Sequence, residues 1–207
     1  MPSIYQLKPR LQALLRPLVR TCAAAGITAN QVTLVACAVS VLLGFVLWRY
    51  VEHRGLFLLV PVWLLLRMAP NAVDGMLARE FKQQSILGGY LNELTDVIAD
   101  AALYAPFALL AGASGLGIAL VIGLAGLTEF AGVLGVAAGA SRRYDGPMGK
   151  SDRALVFGVL GFLVGIGVPT HGWFGWVEWI LLALLALTIV KRVRGGLSEA
   201  RVANTNR

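Results

Sequence analysis

Apolar residues gather in six long runs along the chain, and short polar or charged stretches separate the runs. A helix that crosses the hydrocarbon core of a bilayer needs about 20 mostly apolar residues. The runs approach or exceed this length, and no alternating strand pattern competes with them. The sequence therefore predicts an all-α integral membrane protein with six transmembrane helices. The predicted spans are 31–50, 55–71, 86–111, 116–138, 153–169 and 174–191.

An amphipathic, basic segment precedes the first run. Residues 3–24 carry lysine and arginine among leucines, which suits the headgroup layer of a membrane; an ordinary N-terminal cap helix is the alternative. Thr28 and Gln31 match a capping box at the start of the first span. Because this span begins so far into the chain, we expect it to be retained rather than cleaved. The predicted parts are an amphipathic segment 1–30, a six-helix domain 31–194 and a cytoplasmic tail 195–207.

Composition also indicates a membrane protein. Hydrophobic residues make up 57% of the chain and charged residues only 14%, and the mean hydropathy is +0.73. A soluble domain is usually about 25% charged. A net charge of +7 can indicate nucleic-acid binding, but the apolar content argues against that partner. We therefore expect no nucleic acid and interpret the charge as a topology signal.

Lysine and arginine are distributed unevenly between the two ends of the predicted spans. If the N-terminus is cytoplasmic, 16 of them fall on the cytoplasmic side and two, Arg49 and Arg54, on the other. Cytoplasmic loops of membrane proteins carry such an excess. The sequence therefore predicts cytoplasmic termini and cytoplasmic loops at 72–85 and 139–152, and we expect the inner membrane of a bacterium. The tryptophans after residue 170 then form an outer aromatic belt.

A polar stripe runs along the predicted third span. Gly88, Asn92, Asp96 and Asp100 recur every four residues, and on a helix such a row drifts by only about 40° per step. Ionisable residues inside membrane spans are costly and usually functional. The stripe is therefore a candidate site at the predicted cytoplasmic end of the bundle.

The end of the second span can face the same place. Asn71 and Asp74 supply oxygen atoms there, and oxygen ligands that converge from two helices suit a hard divalent cation such as Mg²⁺ or Ca²⁺. A diphosphate substrate would need such a cation. Arg79, one turn beyond Asp74, suits phosphate, while Gly75 and Ala78 leave room for a flat base. The alternative is a structural polar seam between two helices.

This pattern resembles the signature of the CDP-alcohol phosphotransferase (CDP-alcohol phosphatidyltransferase) family, Asp-x2-Asp-Gly-x2-Ala-Arg-x8-Gly-x3-Asp-x3-Asp. The segment 27–33 is also similar to the family, although Ala29 stands where the family often has proline. The resemblance implies transfer of a phosphatidyl group from a CDP-linked lipid such as CDP-diacylglycerol to an alcohol, with release of CMP. It also implies Mg²⁺ or Mn²⁺, one or two ions, and a homodimer in the membrane. The matching residues are Asp74, Gly75, Ala78, Arg79, Gly88 and Asp96.

The resemblance also implies a role for each signature position. Asp96 is the expected general base, and Asp74, Gly75, Ala78, Arg79 and Gly88 are the expected CDP-binding residues. The expected metal ligands are Asn71, Asp74, Asn92 and Asp96.

Two signature aspartates are replaced in this chain. Asn71 and Asn92 stand at the first and third aspartate positions, so two formal negative charges are lost. Glu93 and Asp100 are the candidate compensating carboxylates. One metal, a changed metal preference and weak activity are all open.

A basic loop provides a secondary candidate site. Arg142, Lys150 and Arg153 can receive an anionic acceptor or a lipid phosphate; the alternative is charge that only sets topology. Two other classes of function compete with the transferase. One is a catalytically weakened protein that binds a CDP-lipid or regulates partner enzymes, and the other is a small cation transporter.

Overall fold

The described part of the chain consists of helices and the loops that connect them, with no strand among residues 4–205. These are the residues that the computed structural model describes, with side chains for residues 12–203. The ends of the predicted N-terminal segment and tail, residues 1–3 and 206–207, lie outside the described residues. The α-helices are α1 (Ile4–Ala24), α2 (Ala29–Arg49), α3 (Leu59–Leu66), α4 (Met68–Glu80), α5 (Ile86–Tyr104), α6 (Gly115–Ala137), α7 (Lys150–Gly165) and α8 (Phe174–Thr205).

The predicted all-α class is confirmed for the described residues, and four helical segments among them are long and apolar enough to cross a membrane. Two of the six predicted spans do not reach that standard. Helix α5 carries three carboxylates within its 19 residues, and α7 has only 16 residues. The four segments are Ala29–Arg49, Arg54–Glu80, Gly115–Ala137 and Phe174–Ala203.

Side-chain caps set several helix starts. The predicted capping box is confirmed, because Gln31 N–H donates to the Thr28 hydroxyl at 3.3 Å and Thr28 N–H donates to Gln31 Oε1 at 2.8 Å. The Ser85 hydroxyl similarly accepts from Gly88 N–H at 2.9 Å and begins α5. Each cap satisfies a backbone donor that the helix itself leaves without a partner.

The helices run further than the apolar pattern predicted. The loop expected at 72–85 is wrong for its first part, because α4 continues to Glu80. Pro70 lies in the first turn of α4, where a missing N–H costs nothing, so nothing ends the helix there. Helix α8 has 32 residues and includes residues 195–205 of the predicted tail. At 1.5 Å per residue it is about 48 Å long, so it extends well beyond a hydrocarbon core of about 30 Å.

Helix α1 packs on α4 through one face only. Val19 is buried against Val73 and Met76, whereas Leu14 and Leu18 are exposed on the other side. An exposed leucine face beside arginines suits the membrane surface.

Helix α2 is the element on which the site helices rest, since it contacts both α4 and α5. It approaches α5 closely at Gly44, where a Cβ atom would overlap the backbone carbonyl of Ala102. Small residues allow membrane helices to come this close. The approach fixes the height of α5, and therefore of its carboxylates, relative to α2.

Gly44→Val is expected to destabilise the protein in detergent by about 1–3 kcal/mol, because the added side chain forces α2 away from α5. The matched control is Gly123→Val in α6, where a Cβ meets nothing within 4 Å. Thermal denaturation followed by circular dichroism measures both. Equal melting temperatures for the two variants would contradict the close α2–α5 contact.

Candidate active site

Asp74 is held in place by the first transmembrane helix. Its side chain is buried on α4, and the Thr33 hydroxyl of α2 donates to Asp74 Oδ2 at 2.8 Å. Thr33 lies in the segment 27–33 that the signature comparison singled out only as a similar sequence. That segment therefore orients a carboxylate of the candidate site.

The same segment binds the turn between α4 and α5. Ala29 N–H donates to Gln83 Oε1 at 2.7 Å, which ties the turn to the start of α2. At Gly88 a Cβ atom would lie 2.9 Å from Asn30 Oδ1, so only glycine fits without displacing that side chain. The signature glycine at 88 thus allows α5 to begin against α2.

Asn71 and Arg79 of α4 lie on an open surface, whereas Ala78 packs on the apolar contact between α1 and α4. The Arg79 guanidinium folds back over Gly75, where a Cβ atom would come within 2.9 Å of Arg79 Nη2. Asn71, Asn92 and Arg79 are exposed. These polar groups are therefore accessible to a ligand, in contrast to the buried Asp74.

Asp96 lies between two cations. Lys150 Nζ, from the first residue of α7, donates to Asp96 Oδ2 at 2.5 Å. Arg67 Nη2, from the junction of α3 and α4, donates to Asp96 Oδ1 at 2.9 Å. Asp74 lies within electrostatic reach of both Asp96 and Lys150. Helices α4, α5 and α7 therefore bring two carboxylates and a lysine to one place.

A buried ionic cluster lies behind Asp96. Asp100 accepts from Arg67 at 2.8 Å and is 3.4 Å from Arg153, and Arg153 donates to Glu129 at 3.0 Å. The side chains of Arg67 and Arg153 are only 6% and 2% exposed. Buried charges are stable only when they are paired and hydrogen-bonded, so this cluster fixes the relative positions of α4–α7.

Glu129 connects the cluster to the basic loop and to α8. Its carboxylate lies 3.4 Å from Arg192 of α8 and 3.6 Å from Arg142. Arg142 also forms a two-pronged ion pair with Glu93. Glu93 therefore pairs with the basic loop rather than with Asn92 beside it.

Helix α8 holds the loop that precedes Lys150. Met148 N–H donates to the Thr188 hydroxyl at 3.0 Å, and Ser141 N–H donates to Glu199 at 2.8 Å. Arg143 pairs with Asp145 at 2.7 Å, and this guanidinium lowers the pKa of the Asp145 carboxyl. The pair persists at neutral pH. Its contribution to the free energy of unfolding is lost only as the pH falls through that lowered pKa.

The structure thus divides the predicted site residues into three groups. Asp74, Asp96 and Lys150 lie together. Asn71, Arg79 and Asn92 are exposed, and Gly75 and Gly88 provide the close approaches. Arg153 and Asp100 are buried in the ionic cluster, while Arg142 and Glu93 form a pair beside it.

Several contributors were missed from the sequence. Arg67 was counted only as a topology charge, yet it joins Asp96 to Asp100. Its place inside an apolar run was the available signal, as it was for Glu129, since intramembrane charges are usually functional. Arg192 gave no such signal, because it lies where a cytoplasmic end was expected. Thr33 and Gln83 act through contacts between helices that no local pattern contains.

A comparison of the sequence with models of protein families agrees with the signature and with this geometry. The family model for CDP-alcohol phosphatidyltransferase matches residues 26–190. The chain belongs to this family. The match includes all of α2 to α7 and the signature residues described above.

Known relatives span most of the chain. It is 48% identical over 164 residues to inner membrane protein YnbA of Escherichia coli (strain K12). The aligned region covers 79% of this chain and 81% of that protein. It is 28% identical over 109 residues to archaetidylinositol phosphate synthase of Pyrococcus horikoshii, over 51% of this chain and 54% of that protein.

The fold is also that of a solved enzyme. The phosphatidylinositol phosphate synthase PgsA1 of Mycobacterium tuberculosis, in complex with manganese and citrate, aligns with a TM-score of 0.72 at 19% identity, over 87% of this chain and 88% of that chain. The same enzyme with CDP-DAG bound aligns with a TM-score of 0.67 at 17% identity, over 89% and 92%. These likenesses show a shared fold.

The donor set fits a two-metal site poorly. Within the described residues, no three His, Cys, Asp or Glu side chains are placed to hold one metal ion. Asp74 and Asp96 are the carboxylates left from the signature, and Arg67 and Lys150 already bind both oxygens of Asp96. Asn71 and Asn92 supply neutral oxygens only. No chemical step is therefore assigned to a metal ion in this chain.

Arg153→Met is expected to destabilise the protein by about 3–5 kcal/mol, because it leaves Asp100 and Glu129 with less compensation inside the bundle. The control is Arg194→Met on the exposed face of α8, for which a change within about 0.5 kcal/mol is expected. Denaturation in detergent compares the two. A normal melting temperature for Arg153→Met would show that the cluster does not hold the helices together.

Proposed function

We propose that this protein transfers a phosphatidyl group from a CDP-linked lipid such as CDP-diacylglycerol to an alcohol acceptor and releases CMP. The observation that carries the proposal is the convergence of Asp74, Asp96 and Lys150 from α4, α5 and α7. Family membership supports phospholipid synthesis from a CDP-lipid. The CDP-DAG complex of PgsA1 and the synthase from Pyrococcus horikoshii support the donor class.

The reaction is a displacement at phosphorus. The acceptor hydroxyl oxygen forms a bond to the phosphorus that bears the lipid, and its proton passes to the Asp96 carboxylate. The bond between that phosphorus and the bridging oxygen breaks, and this oxygen leaves with CMP. Positive groups around the diphosphate stabilise the charge that develops as the bond breaks.

The nucleotide is assigned to the open surface of α4. Arg79 folds over Gly75 there, and its guanidinium suits a phosphate oxygen. Ala78 adds little bulk beside it. Asp74, held by Thr33, is assigned to the ribose or phosphate side of the CDP.

The acceptor is assigned to the loop side of the site. Lys150 is 35% exposed and Arg142 is 29% exposed, so both can meet a phosphate, Lys150 that of the CDP-lipid and Arg142 that of an anionic acceptor. Arg153 is too buried to touch an acceptor and instead positions Asp100 and Glu129. The acceptor alcohol itself is to be found by experiment.

We further propose that α5 and α7 complete a six-span domain at 31–194, with the amphipathic segment 1–30 on the membrane surface. The site and both termini are cytoplasmic in this arrangement, where CDP-lipids meet water-soluble acceptors. The unequal distribution of lysine and arginine supports this orientation. The similarity to inner membrane protein YnbA of Escherichia coli supports a bacterial inner membrane. A homodimer is included in the proposal because the family resemblance implies it.

A second candidate is a weakened relative that binds CDP-lipid or regulates other enzymes without turnover. The observation that favours it is that Arg67 and Lys150 each form an ion pair with Asp96. Asparagine at positions 71 and 92, where the family signature has aspartate, favours it as well. This candidate shares the CDP-lipid site with the transferase and differs in the absence of CMP release. Family membership favours both over a cation transporter.

The transferase is tested by CMP release from CDP-diacylglycerol in detergent, with a pool of alcohols, in buffers with Mg²⁺, with Mn²⁺ or with EDTA. Asp96→Asn is expected to lower release by about 100-fold or more, because the proton acceptor is removed. Glu52→Gln, an exposed carboxylate in the turn after α2, is the control and should release CMP at the wild-type rate. Leaving out one alcohol at a time then identifies the acceptor.

Wild-type rates in Asp96→Asn would reject Asp96 as the base. CDP-diacylglycerol binding without release in any buffer would favour the regulatory protein. Retained binding by Asp96→Asn shows that a loss of release comes from chemistry rather than misfolding.

A further inference from the structure

We propose that the Lys150 ammonium group takes the place of a divalent cation at Asp96, so that this protein handles the diphosphate without a metal ion. The inference rests on the proposed function and concerns how the same site supplies positive charge. It arises from a disagreement between the donor set of this chain and the ion that the family implies.

Charge at the site supports this substitution. Four signature carboxylates suit two divalent cations, whereas this chain keeps Asp74 and Asp96 and has neutral amides at 71 and 92. Lys150 and Arg67 each add one positive charge in direct contact with Asp96. Two monovalent cations thus compensate two carboxylates where two divalent ions would compensate four.

The two cations are not equivalent. Arg67 is 6% exposed and is clamped between Asp96 and Asp100, so its position is fixed. Lys150 is 35% exposed and bonds only to Asp96 among the described contacts. Its ammonium group has three donors, so two stay available for phosphate oxygens. Lys150 can therefore pass to a diphosphate while Arg67 keeps Asp96 in place.

Backbone hydrogen bonds fix the residues immediately before Lys150. Gly149 N–H donates to Asp152 at 2.9 Å, and Met148 N–H donates to Thr188 at 3.0 Å. The first bond caps α7, and the second ties the residue before it to α8. The long side chain thus leaves a rigid base and reaches Asp96 across the site. Pre-positioned positive charge needs no reorganisation when the charge of the transition state develops.

The experiment measures CDP binding and CMP release by the full chain in detergent, each in EDTA and in Mg²⁺ or Mn²⁺. The expected result is wild-type CDP affinity and release in EDTA that stay within about twofold of the values with metal. Lys150→Met is expected to lower CDP affinity by about 10- to 100-fold, as loss of a charge-assisted bond to phosphate does. Lys191→Met, an exposed lysine on α8, is the matched control and should bind CDP normally.

A converse variant tests the substitution directly. The triple variant Asn71→Asp, Asn92→Asp, Lys150→Met restores the signature carboxylates and removes the ammonium group. It is expected to bind Mn²⁺, observed by electron paramagnetic resonance, and to bind CDP only when metal is present. Lys150→Arg should keep metal-free binding, and gel filtration shows which variants are folded.

The outcomes separate the two proposals. Wild-type CDP binding and CMP release that both disappear in EDTA would overturn the Lys150 assignment and leave the transferase standing. Metal-free CDP binding with no CMP release in any buffer would keep the Lys150 assignment and reject the transferase. Normal CDP affinity in a folded Lys150→Met protein would also overturn the assignment.

Discussion

The structure depends on the need to pair every charge that the bundle buries. Asp100 and Glu129 are buried between the helices. Burying an ion without a partner costs on the order of several kcal/mol. Arg67 and Arg153 meet them at 2.8–3.4 Å. Each pair joins two helices, so the positions of α4 to α7 follow from the pairing. The accessible site is the open end of this same cluster.

The pairing also explains why the site has an outer and an inner part. Arg67 contacts Asp96 at the partly exposed end and Asp100 at the buried end. A single guanidinium with two forks can bind two carboxylates in fixed directions, which an ammonium group cannot do. Asp96 is therefore held rigidly from behind, while its other oxygen faces Lys150. A rigid base with one changeable partner suits proton transfer better than a base held on all sides.

Local patterns in the sequence predicted a large part of this arrangement. The capping box at Thr28 and the four-residue stripe through Asp96 depend on neighbours within one helical turn, so both could be found without a fold. The continuation of α4 to Glu80 could not, because the apolar run ends at residue 71 and the turns beyond it pack on α1 and α2, which are distant in sequence. The partners of Arg67, Arg192 and Glu93 depend on how distant helices meet, and no local spacing encodes that.

The two asparagines acquire a physical meaning from these contacts. Four carboxylates at one site repel each other, and bound metal ions offset that repulsion. With Asn71 and Asn92, two of these charges are absent, and Arg67 and Lys150 compensate Asp96 through bonds within the chain. The site is then assembled as the helices pack. Replacing the aspartates without these two cations would leave Asp96 uncompensated, so the asparagines and the Lys150 contact are best understood as one linked change.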